Sequence, residues 1–313
     1  MSSRAVTGKK PANAPSMLPA LVTVLALLFT GYLLRRLQRL PDNAADVLNR
    51  VVIDLCVPAT ILRLVPKLSL GPGLVVLVIV PWAMAGLAYL LVLGAARAFA
   101  IDRKSRAALF LATALGNTSF LGFPLCKALL GERSVPLAAV YDQLGSFLIL
   151  STVVPVTLAG AGAGARPRAL DVVRRVLTFP PFLALVVALL PLPHPALLEP
   201  LYATAASALV PLAVVAVGLK LRLTPPRPLR VLVLGLSFKL GLLPCAAWVL
   251  VRLLGTPSFI AKVAVLETAM PMSITAGAMM MAYDVAGELA AALVGWGLVV
   301  SLATVPAWAV LLR

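Results

Sequence analysis

The chain has 313 residues, 61% of them hydrophobic and 12% charged, with a mean hydropathy of +1.03. Soluble domains carry roughly 45–50% apolar residues, so a water-soluble fold is excluded. The formal net charge of +16 is spread between apolar blocks instead of along one face, which points to membrane topology and away from a nucleic-acid surface.

The apolar blocks run for about 18–25 residues, the length a helix needs to cross roughly 30 Å of hydrocarbon, and they lack the strict alternation of a lipid-facing barrel. Residues 1–17 read as a flexible tail carrying Arg4, Lys9 and Lys10. The block from Leu18 to Leu34 is long for a signal-peptide core, lacks a small-x-small cleavage site and ends in Arg35-Arg36, so it is the first span. In chain order the predicted spans are 18–37, 46–65, 74–97, 106–129, 136–158, 173–191, 202–220, 229–251, 259–282 and 287–311. The small residues, prolines and arginines of 159–172 make a linker, dividing the chain into five-helix halves 18–158 and 173–313.

Sixteen Lys and Arg residues flank the spans on the linker side and ten on the other. The positive-inside rule then puts the linker in the cytoplasm and both termini outside. PLAAVYDQLGSFLILSTVVP at 136–155 aligns without a gap to ELAAALVGWGLVVSLATVPA at 288–307, and 289 − 137 gives an offset of 152. Val57-Pro58 meets Val210-Pro211 at 211 − 58 = 153. Five spans per half is odd, so the halves are expected to be inverted relative to each other, as in many carriers that bind substrate where the repeats meet.

The fourth span is interrupted by Gly116-Asn117-Thr118-Ser119-Phe120-Leu121-Gly122-Phe123-Pro124, and the ninth by Glu267-Thr268-Ala269-Met270-Pro271-Met272-Ser273. The 152-residue offset sets Gly116 and Thr118 against Thr268 and Met270. Unwound backbone inside a membrane leaves amides and carbonyls that can replace a solute's hydration shell. Gly and Pro also serve kinks and close packing in membrane helices, a reading that stays open for each break alone. Ionisable residues within spans are functional candidates by default: Glu267 before the ninth-span break, Asp142 in the fifth span, Lys239 in the eighth, and Asp54 in the second, where a structural role is favoured. Cys56, Cys126 and Cys245 have no metal-ligand spacing, His194 lies in a Pro-rich turn, and no HExxH, Walker or Ser/His/Asp pattern appears. Neither an enzyme nor a resident metal is therefore expected.

The run GNTSFLGFPLCKALLGERSVPLAAVYDQLGSF, the AMPMSITAG break and the ELAAALVGWGLVVSLATVPAW ending resemble the auxin efflux carrier family, prokaryotic members of which are known as malate or malonate permeases. That resemblance implies an all-α protein of the cell membrane with ten helices, in which helices four and nine cross at their breaks beside the substrate. It implies a moving transport domain at 74–158 and 229–311, and a scaffold at 18–65 and 173–220 that forms a homodimer in plant relatives. Asn117, Thr118, Ser119, Pro124, Met270, Pro271, Ser273 and Lys239 are then the expected contacts to a small organic anion, with Glu267 and Asp142 as ion-coupling groups. The ETAM stretch at 267–270 is similar, more distantly, to bile acid:sodium symporters, in which such a glutamate binds sodium. The coupling ion is thus expected to be a sodium ion or a proton. A membrane receptor without transport and a channel are the alternatives in other classes.

Overall fold

The computed structural model describes residues 17–68, 71–162, 168–190, 196–223 and 229–312. The N-terminal tail before Met17, the middle of the linker at 163–167 and His194 lie outside the described residues. Within them, regular structure is helical throughout: α1 Met17–Arg36, α2 Ala44–Val51, α3 Val57–Leu64, α4 Val76–Ala98, α5 Arg103–Ala114, α6 Phe123–Leu130, α7 Val135–Tyr141, α8 Phe147–Gly160, α9 Ala169–Leu177, α10 Pro180–Leu189, α11 Glu199–Ser207, α12 Leu209–Lys220, α13 Leu229–Ser237, α14 Leu243–Leu253, α15 Ser258–Thr268, α16 Ile274–Ala282 and α17 Gly287–Leu311.

Six helical stretches among the described residues are long and apolar enough to cross a bilayer: Leu18–Arg36, Gly73–Ala98, Glu132–Gly160, Glu199–Lys220, Leu229–Leu253 and Gly287–Leu311. The expected sixth span at 173–191 is not one straight helix. It is the pair α9 and α10, bent by 66°, because Pro180 follows Phe179, which is extended, and a proline disfavours helical geometry in the residue before it. The helix α9 also begins inside the expected linker, at Ala169.

Among the described residues four π-turns interrupt the helices, at Val52–Cys56, Thr118–Gly122, Asp142–Ser146 and Phe238–Leu242. Three of them are followed within two residues by a proline, Pro58, Pro124 or Pro244. A proline inside a helix cannot donate to the carbonyl four residues back and clashes with it, and a widened turn just ahead relieves both problems. The carbonyl that Pro244 leaves free, that of Leu240, is taken up by the Trp308 indole N–H at 2.9 Å. Trp82 serves the π-turn carbonyl of Leu144 in the same way at 3.0 Å.

The helices pack in two groups. In the first, α1 lies along α12, α2 meets α12, and α3 meets α10 and α11. The α1/α12 crossing is as close as backbones allow, since a Cβ on Gly31 would strike the Val215 carbonyl and one on Gly218 the Leu28 carbonyl. In the second group α4 packs on α5, α14 and α15, while α17 packs on α13, α16 and α5. The seam between the groups is apolar, one core cluster running from Val24 and Val57 through to Leu125 and Val265.

Candidate functional site

Both interrupted helices open at one point and touch there. The Asn117 amide donates to the Pro271 carbonyl at 2.7 Å, and the Ser273 amide donates to the Leu115 carbonyl at 3.0 Å, closing an antiparallel bridge between Gly116 and Met272. The bridge is reciprocal: each extended segment gives one N–H and one C=O to the other, so buried backbone that has left its own helix is satisfied by its counterpart. The extended segments run in opposite directions. Gly116 packs closely here, since a Cβ would lie in van der Waals contact, 3.4 Å, with both the Glu267 carbonyl and Lys239 Nζ.

The pairing corrects the sequence register. The offset of 152 set Gly116 against Thr268, whereas the bridge sets it against Met272, 272 − 116 = 156. Helix restarts at Thr118 and at Ile274, again 274 − 118 = 156 apart. The difference is taken up beyond the break: the turn and helix after it hold 5 + 8 = 13 residues in the first case and 9 in the second, a gap of four residues, or about one helical turn. The return to a 152-residue offset in the last span of each half follows.

On one side of the crossing lies a cavity of about 100 Å³ lined by Asn117, Thr118, Ser119, Asp142, Ser273 and the sequence-unforeseen Ser146 and Thr275, with Ile53 and Phe179 closing it from the first packing group. Phe179 stacks on Phe147 of α8 at 4.0 Å between ring centroids. Asp142 is 3% exposed and fully engaged: it accepts from the Thr118 hydroxyl, from the Ser119 hydroxyl at 2.8 Å and from Gln143 Nε2 at 2.5 Å. The Ser273 side chain caps α16 by accepting from the Ala276 amide at 3.4 Å. First-turn amides of a helix have no intrahelical acceptor and carry partial positive charge. The crossing therefore brings two such helix starts together at one polar cavity.

The remaining expected residues lie elsewhere. Pro271 borders a small recess, about 10 Å³, on the opposite side of the crossing with Asn117 and Lys220. Met270 is buried at 0% exposure and Pro124 is buried at the start of α6. Glu267 and Lys239 are behind the crossing and do not line the cavity. Glu267 is fully buried; its Oε1 accepts from the Cys126 thiol at 3.2 Å, and its Oε2 has no partner among the described residues. Lys239 is 5% exposed and lies within Coulombic reach of Glu267, yet among the described residues no ion pair within 4.0 Å joins it to a carboxylate. Tyr141 and Thr268 tie the fifth-span helix to the ninth through their hydroxyls at 2.9 Å. Asp54 pairs with Arg50 at 3.4 Å on an exposed helix face, in keeping with a structural role. Cys126, which has no metal-ligand spacing in the sequence, joins the site only through its contact with Glu267, for which local sequence offers no signal. Ser146 was legible as the i+4 neighbour of Asp142 on one helix face.

The chain is 28% identical over 308 residues to an uncharacterized transporter of Methanothermobacter thermautotrophicus, covering 93% of this chain and 97% of the relative. It is 26% identical over 174 residues to an uncharacterized transporter of Methanocaldococcus jannaschii, covering 53% of this chain and 54% of that one. The profile of the family described as membrane transport protein matches residues 16–167 and 170–309. With nearly the whole chain matched and several helices able to span a bilayer, this multi-pass membrane protein belongs to the membrane transport protein family, that of the auxin efflux carriers.

Proposed function

We propose that the chain is a secondary carrier of a small organic anion, a dicarboxylate or other weak acid, working by alternating access at the helix crossing. The carrying observation is the reciprocal bridge, which aims the first turns after Asn117 and Ser273 at one polar cavity between the two packing groups. Those amide-rich helix starts suit an anion, with Asn117, Thr118, Ser119 and Ser273 as its hydrogen-bonding partners. Pro124, Met270 and Pro271 keep the breaks open.

A carboxylate substrate would meet Asp142 on the same wall, and two like charges in so small a space repel. Binding is relieved if a proton arrives with the anion and neutralises Asp142, so we assign Asp142 as a proton-coupling group. Glu267, with its unpartnered buried oxygen, is a second proton carrier, and Lys239 balances its charge. Sodium at Glu267 is less well supported: Lys239 is within Coulombic reach of the same carboxylate and would compete with a metal cation.

The reading takes ten crossings in two inverted halves, both termini outside and the linker cytoplasmic, in a cell membrane. The antiparallel pairing of the two breaks supports opposite orientation. Spans at 74–158 and 229–311 move against a scaffold of 18–65 and 173–220, whose outer face is the expected homodimer contact. Substrate enters the cavity of about 100 Å³ as the moving half slides along the apolar seam. An ion network borders a second cavity on the proposed outer side: Arg63 of α3 reaches Glu132 at 3.8 Å and Glu199 at 3.0 Å, and Lys127 of α6 holds Glu132 at 3.3 Å.

Uptake into proteoliposomes tests the proposal. Labelled malonate, malate and monocarboxylates are offered under imposed proton and sodium gradients. Saturable uptake driven by protons and abolished in Asn117→Ala is expected. If no acid moves under any gradient, the reading fails, and binding without flux would mark a receptor instead.

A further inference from the structure

At the opposite end of α1 from its N-terminus lies a basic hollow away from the crossing. A cavity of about 650 Å³, open to solvent, is lined by Tyr32, Arg35, Arg36, Gln38, Asp42 and Arg222, with Leu221 and Leu223 completing the wall. It forms because the Gly31/Gly218 crossing holds α1 and α12 backbone to backbone and both helices end immediately beyond. The end of α1 is a tight cap in which the Gln38 amide donates to the Arg35 carbonyl at 2.9 Å and the Arg39 amide to the Leu34 carbonyl at 3.0 Å. Gln38 occupies the left-handed position, φ 50°, where glycine is usual.

Three arginines face one carboxylate in this hollow. Arg35 has a structural employment, donating from Nη1 to the Leu221 carbonyl at 2.8 Å, which neutralises the negative end of α12. Among the described residues neither Arg36 nor Arg222 has a hydrogen-bond or ion-pair partner, and Asp42 forms no ion pair within 4.0 Å. The nearby Lys220 is already spent on Asp46 at 2.6 Å. Two free guanidiniums thus converge on one cavity, and a guanidinium presents paired donors that match phosphate oxygens.

The surroundings select the source of the phosphate. The arginines close a 20-residue apolar helix, which puts them at the bilayer surface, on the side carrying the larger share of basic residues. Phe29, Leu33, Leu37 and Leu40 on the approach, and Leu223 on the wall, are exposed. A basic hollow beside an apolar helix flank fits an amphiphile, headgroup in the cavity and acyl chains along α1. We propose that this hollow binds the phosphate headgroup of an anionic phospholipid, through Arg36 and Arg222, at the seam of α1 and α12.

Purified full-length protein in detergent is titrated with phosphatidylglycerol, phosphatidylcholine, glycerol 3-phosphate and inorganic phosphate, with bound lipid counted by native mass spectrometry and melting followed in parallel. Retention of phosphatidylglycerol over phosphatidylcholine is expected, with affinity falling at least tenfold in R36Q/R222Q but not in R174Q/R175Q, which removes equal charge elsewhere on that side. R36K/R222K, which keeps the charge and loses the paired donors, should fall between and guards against a folding defect in the glutamine variant. Equal losses in both glutamine variants, an unchanged R36Q/R222Q, or displacement of lipid by inorganic phosphate at the same concentration would each overturn the site.

Discussion

Gly122 offers a direct test of how the crossing is built. A Cβ added there would overlap the Glu267 carboxylate, with Oε1 at 2.8 Å and Cδ at 2.9 Å and Oε2 nearer still. Relief requires the carboxylate to retreat, yet Glu267 is fully buried and held by Cys126 at 3.2 Å. Overpacking of this kind costs about 1–3 kcal/mol. Replacing glycine by alanine in a helix otherwise gains about 0.5–1 kcal/mol, and Gly86 of α4, which has nothing within 4 Å of its Cβ position, supplies that control. Gly122→Ala should therefore melt below Gly86→Ala by about 2 kcal/mol, roughly 3 °C for a chain of 313 residues. Unfolding can be followed with a thiol-reactive dye in a Cys245→Ser background, since Cys56 and Cys126 are buried and Cys245 is exposed. Because the clash is with one side chain, Glu267→Ala should remove the penalty, a coupling of about 2 kcal/mol in a double-mutant cycle. If Gly122→Ala is as stable as Gly86→Ala, or is equally harmed without the Glu267 carboxylate, the packing argument is wrong.

Asp142→Asn exchanges a carboxylate accepting from Thr118, Ser119 and Gln143 for an amide that must also donate. At about 1.5–3 kcal/mol for a charged hydrogen bond, proteoliposome uptake should fall roughly 10- to 100-fold and lose its response to a proton gradient; a wild-type response would refute the coupling role. Glu132→Gln frees Lys127 and leaves Arg63 held by Glu199 alone, weakening a half-exposed network worth at most about 1 kcal/mol. A cysteine at Ala203, on the cavity behind that network, should then react with an impermeant maleimide up to about fivefold faster, and an unchanged rate would count against a gate there. Asp102 caps α5 by accepting from the Lys104 and Ser105 amides at 3.0 Å. Its hydrogen bonds to Ser105, side chain first, hold the carboxyl below its usual value. A lowered folded value means that its stabilisation is full above the unfolded pKa and vanishes as pH falls through the folded one. Asp102→Ala should thus cost about 0.5–2 kcal/mol near neutrality, and the melting gap to wild type should close in acid; a gap independent of pH would refute the capping account.

Composition and hydropathy alone determined that this chain lives in a membrane as helices, because 61% apolar content in spans of bilayer length has no other stable solution. The two breaks were legible as paired clusters of Gly, Pro and polar residues inside apolar stretches, the pattern left where backbone leaves its helix. What sequence could not supply was how the breaks meet. An offset of 152 read from the last span of each half carried Gly116 to Thr268, but hydrogen bonding between Leu115–Asn117 and Pro271–Ser273 joins positions 156 apart, since a missing turn in α16 shifts the break without disturbing the flanking helices. Glu267 and Lys239 looked, by position, like members of one polar site with Asn117. Tertiary packing divided them: Asp142, Thr118 and Ser119 share a cavity, while Glu267 is sealed behind Gly122 and Cys126. Which face of a helix a residue occupies follows from spacing, but which neighbour covers that face depends on helices distant in sequence, and only the folded chain decides it.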